Sequence, residues 1–171
     1  VGGDFTTFGA TTLRGVAQLQ HDGAVDSGFT AADFGAGTII NAVGYDGLKP
    51  LLGGAFANAA VGAAATNFAR LTATGSLDLG VTVTGGAVRS LLVDGASYLL
   101  GGDFTTVAGG ARVALARLST AGALDVAFNP ALTGATPSVH ALALDGTNYV
   151  LAGSFTTVGG IGRSSLARVL H

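Results

Sequence analysis

One segment of the chain occurs four times: Val1–Phe8 (VGGDFTTF), Leu51–Asn58 (LLGGAFAN), Tyr98–Val107 (YLLGGDFTTV) and Tyr149–Val158 (YVLAGSFTTV). The phenylalanines it carries, Phe5, Phe56, Phe104 and Phe155, are 51, 48 and 51 residues apart. A period near fifty residues means one supersecondary unit stacked on itself, because a single such unit cannot bury its apolar face alone. The chain is therefore expected to form one repeat domain over 1–171, with units near 1–34, 35–84, 85–134 and 135–171.

Inside a unit the order of signals is constant. The third unit runs Val88–Val93, then Asp94-Gly95, then Tyr98–Phe104, Leu115–Leu118, and Gly122–Asp125 followed by Phe128. Asp-Gly recurs at Asp46, Asp94 and Asp145, each time between two apolar runs. It marks a tight hairpin, since glycine accepts the positive φ that such a turn demands. The runs are too short for stable helices, and several alternate as strands do, with Leu142 and Leu144 on one face. Composition agrees. There is no Glu, no Met and one Lys (Lys49), while Thr, Val and Gly abound, which removes most good helix formers.

The expected fold is all-β, a β-propeller-like array of four-stranded antiparallel units, about four in number. The first unit lacks its opening strand and the last its closing one. The array is then either a compact four-bladed ring or an arc, and an arc leaves unpaired strand edges that recruit other chains. The glycine pairs before each Phe (Gly2-Gly3, Gly53-Gly54, Gly101-Gly102), with Gly153 in the fourth copy, are expected to let neighbouring sheets nest, and the phenylalanine to fill the seam.

The pattern Gly101–Thr106 (GGDFTT), Leu115–Leu118 (LARL) and Ala121–Phe128 resembles the delta-60 repeat family of bacterial β-propeller-like proteins, with partial matches in the other units. The resemblance implies a propeller-type fold in large secreted or surface-attached proteins, with no established chemistry and no catalytic residues to carry over. The second unit departs most: Ala55 replaces Asp, Ala57-Asn58 replaces Thr-Thr, and Val81 replaces the final Phe.

Several side chains invite a chemical reading. Asp26, Asp78 and Asp125 each follow Gln18, Arg70 or Arg117 by eight residues. They could form an acidic ring for Ca²⁺, but one carboxylate per motif falls short of the oxygens calcium needs. The favoured reading is a turn cap paired with the arginine across a hairpin. Asp4 and Asp103 become Ala55 and Ser154 in sister copies, which suits a strand-end hydrogen bond better than a ligand. His21, His140 and His171 share no repeat position and show no zinc spacing, and no nucleophile elbow or phosphate loop is present. Tyr45, Tyr98 and Tyr149 flank the Asp-Gly turns, beside Ser97 and Asn148. They offer either a shallow sugar site at the blade tips or ordinary strand residues.

Charged residues make up only 11%, and the formal net charge is −2. That leaves no basic footprint for nucleic acid or anionic lipid, and little protection against association. Without cysteine there is neither a disulfide framework nor a thiolate metal site. Val1 starts inside a repeat, as in a processed chain or an excised segment. The uncharged run from Pro50 to Ala69 is long enough to span a bilayer, but it is in register with its repeat partners and broken by Pro50, Asn58, Thr66 and Asn67, so no span is expected. The expected function is a non-enzymatic extracellular structural or adhesive module without cofactor or metal, partnered by itself or by further repeats, and able to build a fibre or larger propeller. A carbohydrate-binding propeller with a glycan partner is the alternative, and an enzyme on this scaffold the third reading.

Overall fold

A computed structural model describes residues 1–58 and 64–171, and every regular element among them is a β-strand. The first unit contains β1 (Thr7–Phe8) and β2 (Thr11–Thr12), with isolated bridges Gly2–Val16 and Leu19–Val25. In the second, β3 (Ile39–Tyr45), β4 (Pro50–Asn58), β5 (Ala65–Leu71) and β6 (Leu77–Thr84) form a four-stranded antiparallel meander. The third unit holds β7 (Val88–Asp94), β8 (Ser97–Gly102), the arms β9 (Thr106–Val107) and β10 (Gly110–Ala111), and β11 (Leu115–Ser119). After β12 (Leu132–Thr133), the fourth unit repeats this with β13 (Ser138–Asp145), β14 (Asn148–Ser154), β15 (Thr157–Val158), β16 (Ile161–Gly162) and β17 (Leu166–Val169).

The Asp-Gly signals work as turns. Asp94 pairs with Ser97 and Asp145 with Asn148 across two-residue loops, and Gly95 and Gly146 take φ of 55° and 61°. The run Pro50–Ala69 is two strands, β4 and the start of β5, around residues 59–63, which lie outside the described residues. No helix of the described residues is long and apolar enough to cross a membrane.

Among the described residues a full fourth strand is seen in the second unit alone. In the third, that strand shrinks to the bridge Leu118–Leu124. The carboxylate of Asp125 accepts from the amides of Ala127 and Phe128 at 2.9 and 3.2 Å, turning the chain where Asp78 of β6 lets it run straight. Pro130 follows, with no amide to give a ladder. Short hairpins follow Phe5, Phe104 and Phe155, which the repeated motif does not signal. The arm β9 joins β6 of the preceding unit, Val83 opposite Val107, and makes a six-stranded sheet in the order β10-β9-β6-β5-β4-β3. Likewise β15 joins β12, Leu132 opposite Val158.

Three buried clusters lie at the three seams. Val16 and Phe29 of the first unit meet Ile40, Leu52, Ala69 and Leu71 of the second. Leu51, Phe68 and Val81 meet Val88, Tyr98, Leu100, Ala116 and Leu118. Leu99, Leu115 and Phe128 meet Val139, Tyr149, Leu151, Ala167 and Val169. The pattern follows from strand alternation: in Tyr98-Leu99-Leu100 the outer two face backward and the middle one forward. The first strands β3, β7 and β13 neighbour one another in turn. Among the described residues no strand pairing or ion pair links the first unit to the fourth.

Candidate functional site

The sequence-predicted residues gather at the seams. Phe56, Phe104 and Phe155 are buried, one in each cluster. Phe5 is half-buried and lies edge-on against Phe8 at 5.9 Å between centroids.

The two glycines of each pair have different tasks. A Cβ on Gly2 would come within 2.5 Å of the Ile40 side chain, on Gly53 within 2.5 Å of Val88, and on Gly101 within 2.7 Å of Val139. Each first glycine thus faces the opening strand of the next unit. The second ones, Gly54, Gly102 and Gly153, lie against backbone carbonyls of Ile39, Ala87 and Ser138 in their own unit. There the ladder between the first and second strands slips by one residue. In the fourth unit the first position is Ala152.

A polar network closes the seam between units two and three. The Tyr98 hydroxyl, at the head of β8, donates to Asp46 Oδ2 at 2.6 Å across the seam. Arg70 Nη1 donates to the Tyr98 oxygen at 2.7 Å and to the Thr120 carbonyl at 2.6 Å, while its Nε binds Asp78 Oδ2 at 2.6 Å. Lys49 Nζ takes the other Asp78 oxygen at 2.7 Å. The next seam repeats the plan. Tyr149 donates to Asp94 Oδ2 at 2.7 Å, Arg117 pairs with Asp125 at 2.7 Å, and its guanidinium lies 4.6 Å from the Phe128 ring centroid. His171 Nε2 also sits 2.7 Å from Asp94.

Environment sets the charge of these groups. Burial would raise Asp46, but the Tyr98 hydroxyl and the amides of Lys49 and Leu48 outweigh it and hold the carboxyl below its ordinary value. The Lys49 ammonium, and then Arg70, lower Asp78, and Arg117 lowers Asp125. Burial first, and then a hydrogen bond to an aspartate, raise both Tyr98 and Tyr149. Asp103 is lowered although burial opposes it, because Arg89 at 2.7 Å and the Ala87 amide bind its oxygens.

The first seam lacks the network on both sides. Gln18 stands at the arginine position and Pro50 at the tyrosine position, and a cavity of about 600 Å³ opens there, lined by Val16, Gln18, Phe29, Tyr45, Pro50 and Leu52. Asp26, without an arginine, caps its own turn through the Gly28 amide at 2.9 Å. Asp4 and its sister Ser154 are exposed.

The sugar-site reading of the tyrosines needs correction. Tyr98 and Tyr149 are fully buried, because their rings fill seams and their hydroxyls hold aspartates; only Tyr45 is exposed. Among the described residues no three His, Asp or Glu side chains are gathered as a metal would require. Missed altogether was the tyrosine-to-aspartate bond across the seam. Its signal was present, since Tyr98 and Tyr149 each follow an Asp-Gly aspartate by four residues and Pro50 breaks the series exactly where Gln18 breaks the arginine series.

The curated proteins and the solved structures give no match to this chain. A family model described as a domain of unknown function (DUF5122) β-propeller matches residues 1–29, 50–80 and 97–128, together more than half of the chain. Each matched segment starts at or beside the second strand of a unit and ends two or three residues after the recurring aspartate, so it carries the phenylalanine and the glycine that faces the next unit. With three successive units matched over more than half of its length, the chain belongs to the DUF5122 β-propeller family.

Proposed function

We propose that this chain is a non-enzymatic structural module of the delta-60 repeat type, extracellular and adhesive, which associates through its end units into a fibre or larger propeller. The observation that carries the reading is where the reactive side chains go. Arg70, Asp78, Tyr98, Arg117, Asp125 and Tyr149 all bind partners within or across a seam. Their shifts keep the carboxylates ionised and the phenols neutral around pH 7, away from the poise that general acid–base chemistry needs. The extracellular and bacterial setting rests on the resemblance of Gly101–Thr106 and Leu115–Leu118 to delta-60 repeats. Open strand edges at β17 and at the first unit favour association. Light scattering and negative-stain imaging across a concentration series test the reading: oligomers or fibres are expected, and a stable monomer at high concentration would overturn it.

A further inference from the structure

The fourth unit presents an outward face on which the seam chemistry is half assembled. Leu166 matches Phe68 and Leu115, which are 0% and 1% exposed, yet it is 61% exposed. Arg168 matches Arg70 and Arg117, and Asp145 matches Asp46 and Asp94. The pair is in place, with Arg168 Nε 2.9 Å from Asp145 Oδ2, but both side chains are 57% exposed, against 16% and 12% for Arg70 and Asp46. Within this chain the arginine and the tyrosine go together. Both are present at the second and third seams, and both are missing at the first, where Gln18 faces Pro50. A face that keeps aspartate and arginine therefore calls for a tyrosine.

A second feature narrows the partner. At the three internal seams the residue facing the incoming strand is glycine, and its neighbour is Ile40, Val88 or Val139. Here it is Ala152. A methyl group at Gly53 or Gly101 would collide with those β-branched side chains at 2.5 or 2.7 Å, so a unit opening with valine or isoleucine does not seat on this face.

We propose that the outward face of the fourth unit is a docking site for one further unit of this repeat, whose tyrosine at the head of the second strand seats on Asp145 and Arg168, and whose first strand carries alanine or glycine opposite Ala152. It continues the interface already built at two seams. The proposal rests on the assembly reading above and names its partner.

The test extends the whole chain past His171 by a second copy of residues 121–171, which continues the register. In one version the copied Val139 stays valine, and in another it is changed to alanine. The alanine version is expected to unfold in one transition above the parent's Tm, with the amides of Leu166–Val169 newly protected from exchange. The valine version is expected to gain less, and Ala152→Gly to restore it. Changing the copied Tyr149 to Phe, or Arg168→Gln, is expected to lower Tm by roughly 2–6 °C, and the two together by no more than the larger. Valine and alanine versions of equal stability, an added unit without protection in any version, or socket variants without effect would overturn the proposal. Light scattering of the unextended chain separates the two ideas: association untouched by Arg168→Gln sinks the socket alone, and monomers combined with the expected socket effects sink the assembly reading alone.

Discussion

Gly53 sits where two sheets come closest, and Gly53→Ala tests whether that closeness is needed. The added Cβ would lie 2.5 Å from Val88 Cγ1 and 3.1 Å from two carbons of Leu91. Carbon atoms in contact prefer about 3.5–4.0 Å, so Val88, which is fully buried, has to move by about 1 Å. Overpacking of this kind costs about 1–3 kcal/mol. Gly53 has no positive φ, so alanine recovers about 0.4–1 kcal/mol from the unfolded chain. The net loss is about 0–2.6 kcal/mol, a fall in Tm of up to roughly 10 °C by circular dichroism for a chain of this size. Val88→Ala alone empties part of the seam at about 2 kcal/mol. Combined, the new methyl group occupies the vacated space, and the double variant is expected to recover about 1–2 kcal/mol relative to the sum. Gly54→Ala is the control. Its Cβ meets the Ile39 carbonyl of its own unit, which no side-chain truncation relieves, so its cost adds to that of Val88→Ala. Additivity of Gly53→Ala with Val88→Ala would refute the close-approach account.

Tyr98→Phe keeps the ring and removes the donor to Asp46 and the acceptor for Arg70; urea unfolding should show a loss of about 1–2 kcal/mol. Lowered carboxyls at Asp46, Asp78, Asp103 and Asp125 contribute stability above the unfolded aspartate pKa of about 4, lost as pH falls through their folded values. A Tm profile flat from about pH 5 to 8 and falling below about pH 4 is expected, steeper at low salt. Raised Tyr98 and Tyr149 contribute below about pH 10 and lose that contribution as pH rises through their folded values, so a second fall is expected there, smaller in Tyr98→Phe. Thr105→Pro removes the amide that donates to the Thr84 carbonyl at 3.0 Å, beside the pairing of β9 with β6; hydrogen exchange should then show faster opening of Leu77–Thr84, and unchanged rates there would count against a role for the hairpin in holding the second unit.

The repeat made the strands legible, because Asp-Gly between alternating apolar runs has few other meanings. The seam phenylalanines and glycines were legible for the same reason, as they recur. What stayed hidden depends on neighbours a single unit does not reveal. Gly15, Asn67, Ala114 and Ser165 occupy one repeat position, and all four have φ between 63° and 72°. Only one of them is glycine, so residue type gave no sign of this shared left-handed turn before the third strand. At Asn67 the side chain helps hold it, accepting from the Phe56 amide at 2.9 Å and donating to Val83 and Gly86 carbonyls at 3.0 and 2.9 Å. The third unit's curtailed fourth strand was hidden as well, because Asp78 and Asp125 read alike. Lys49 makes the difference. It takes the oxygen of Asp78 whose counterpart in Asp125 is left to cap a turn.

The hairpins then explain how so uncharged a set of small sheets holds together. A single repeat unit cannot bury its apolar faces alone, and apolar seams are non-directional, able to slide by one residue. The third and fourth units each reach back twice. The tyrosine fixes one end of the seam to an aspartate, and the β9 or β15 arm extends the sheet, or the strand arm, left by the preceding unit. Two directional anchors at separate points leave a single register for the apolar contacts between them. Where the tyrosine anchor is absent, at Gln18 and Pro50, the pocket at the seam measures about 600 Å³, against about 400 Å³ beside Arg117 and about 260 Å³ beside Arg70. The anchors therefore fix the register of a seam, and the apolar residues supply the free energy that closes it.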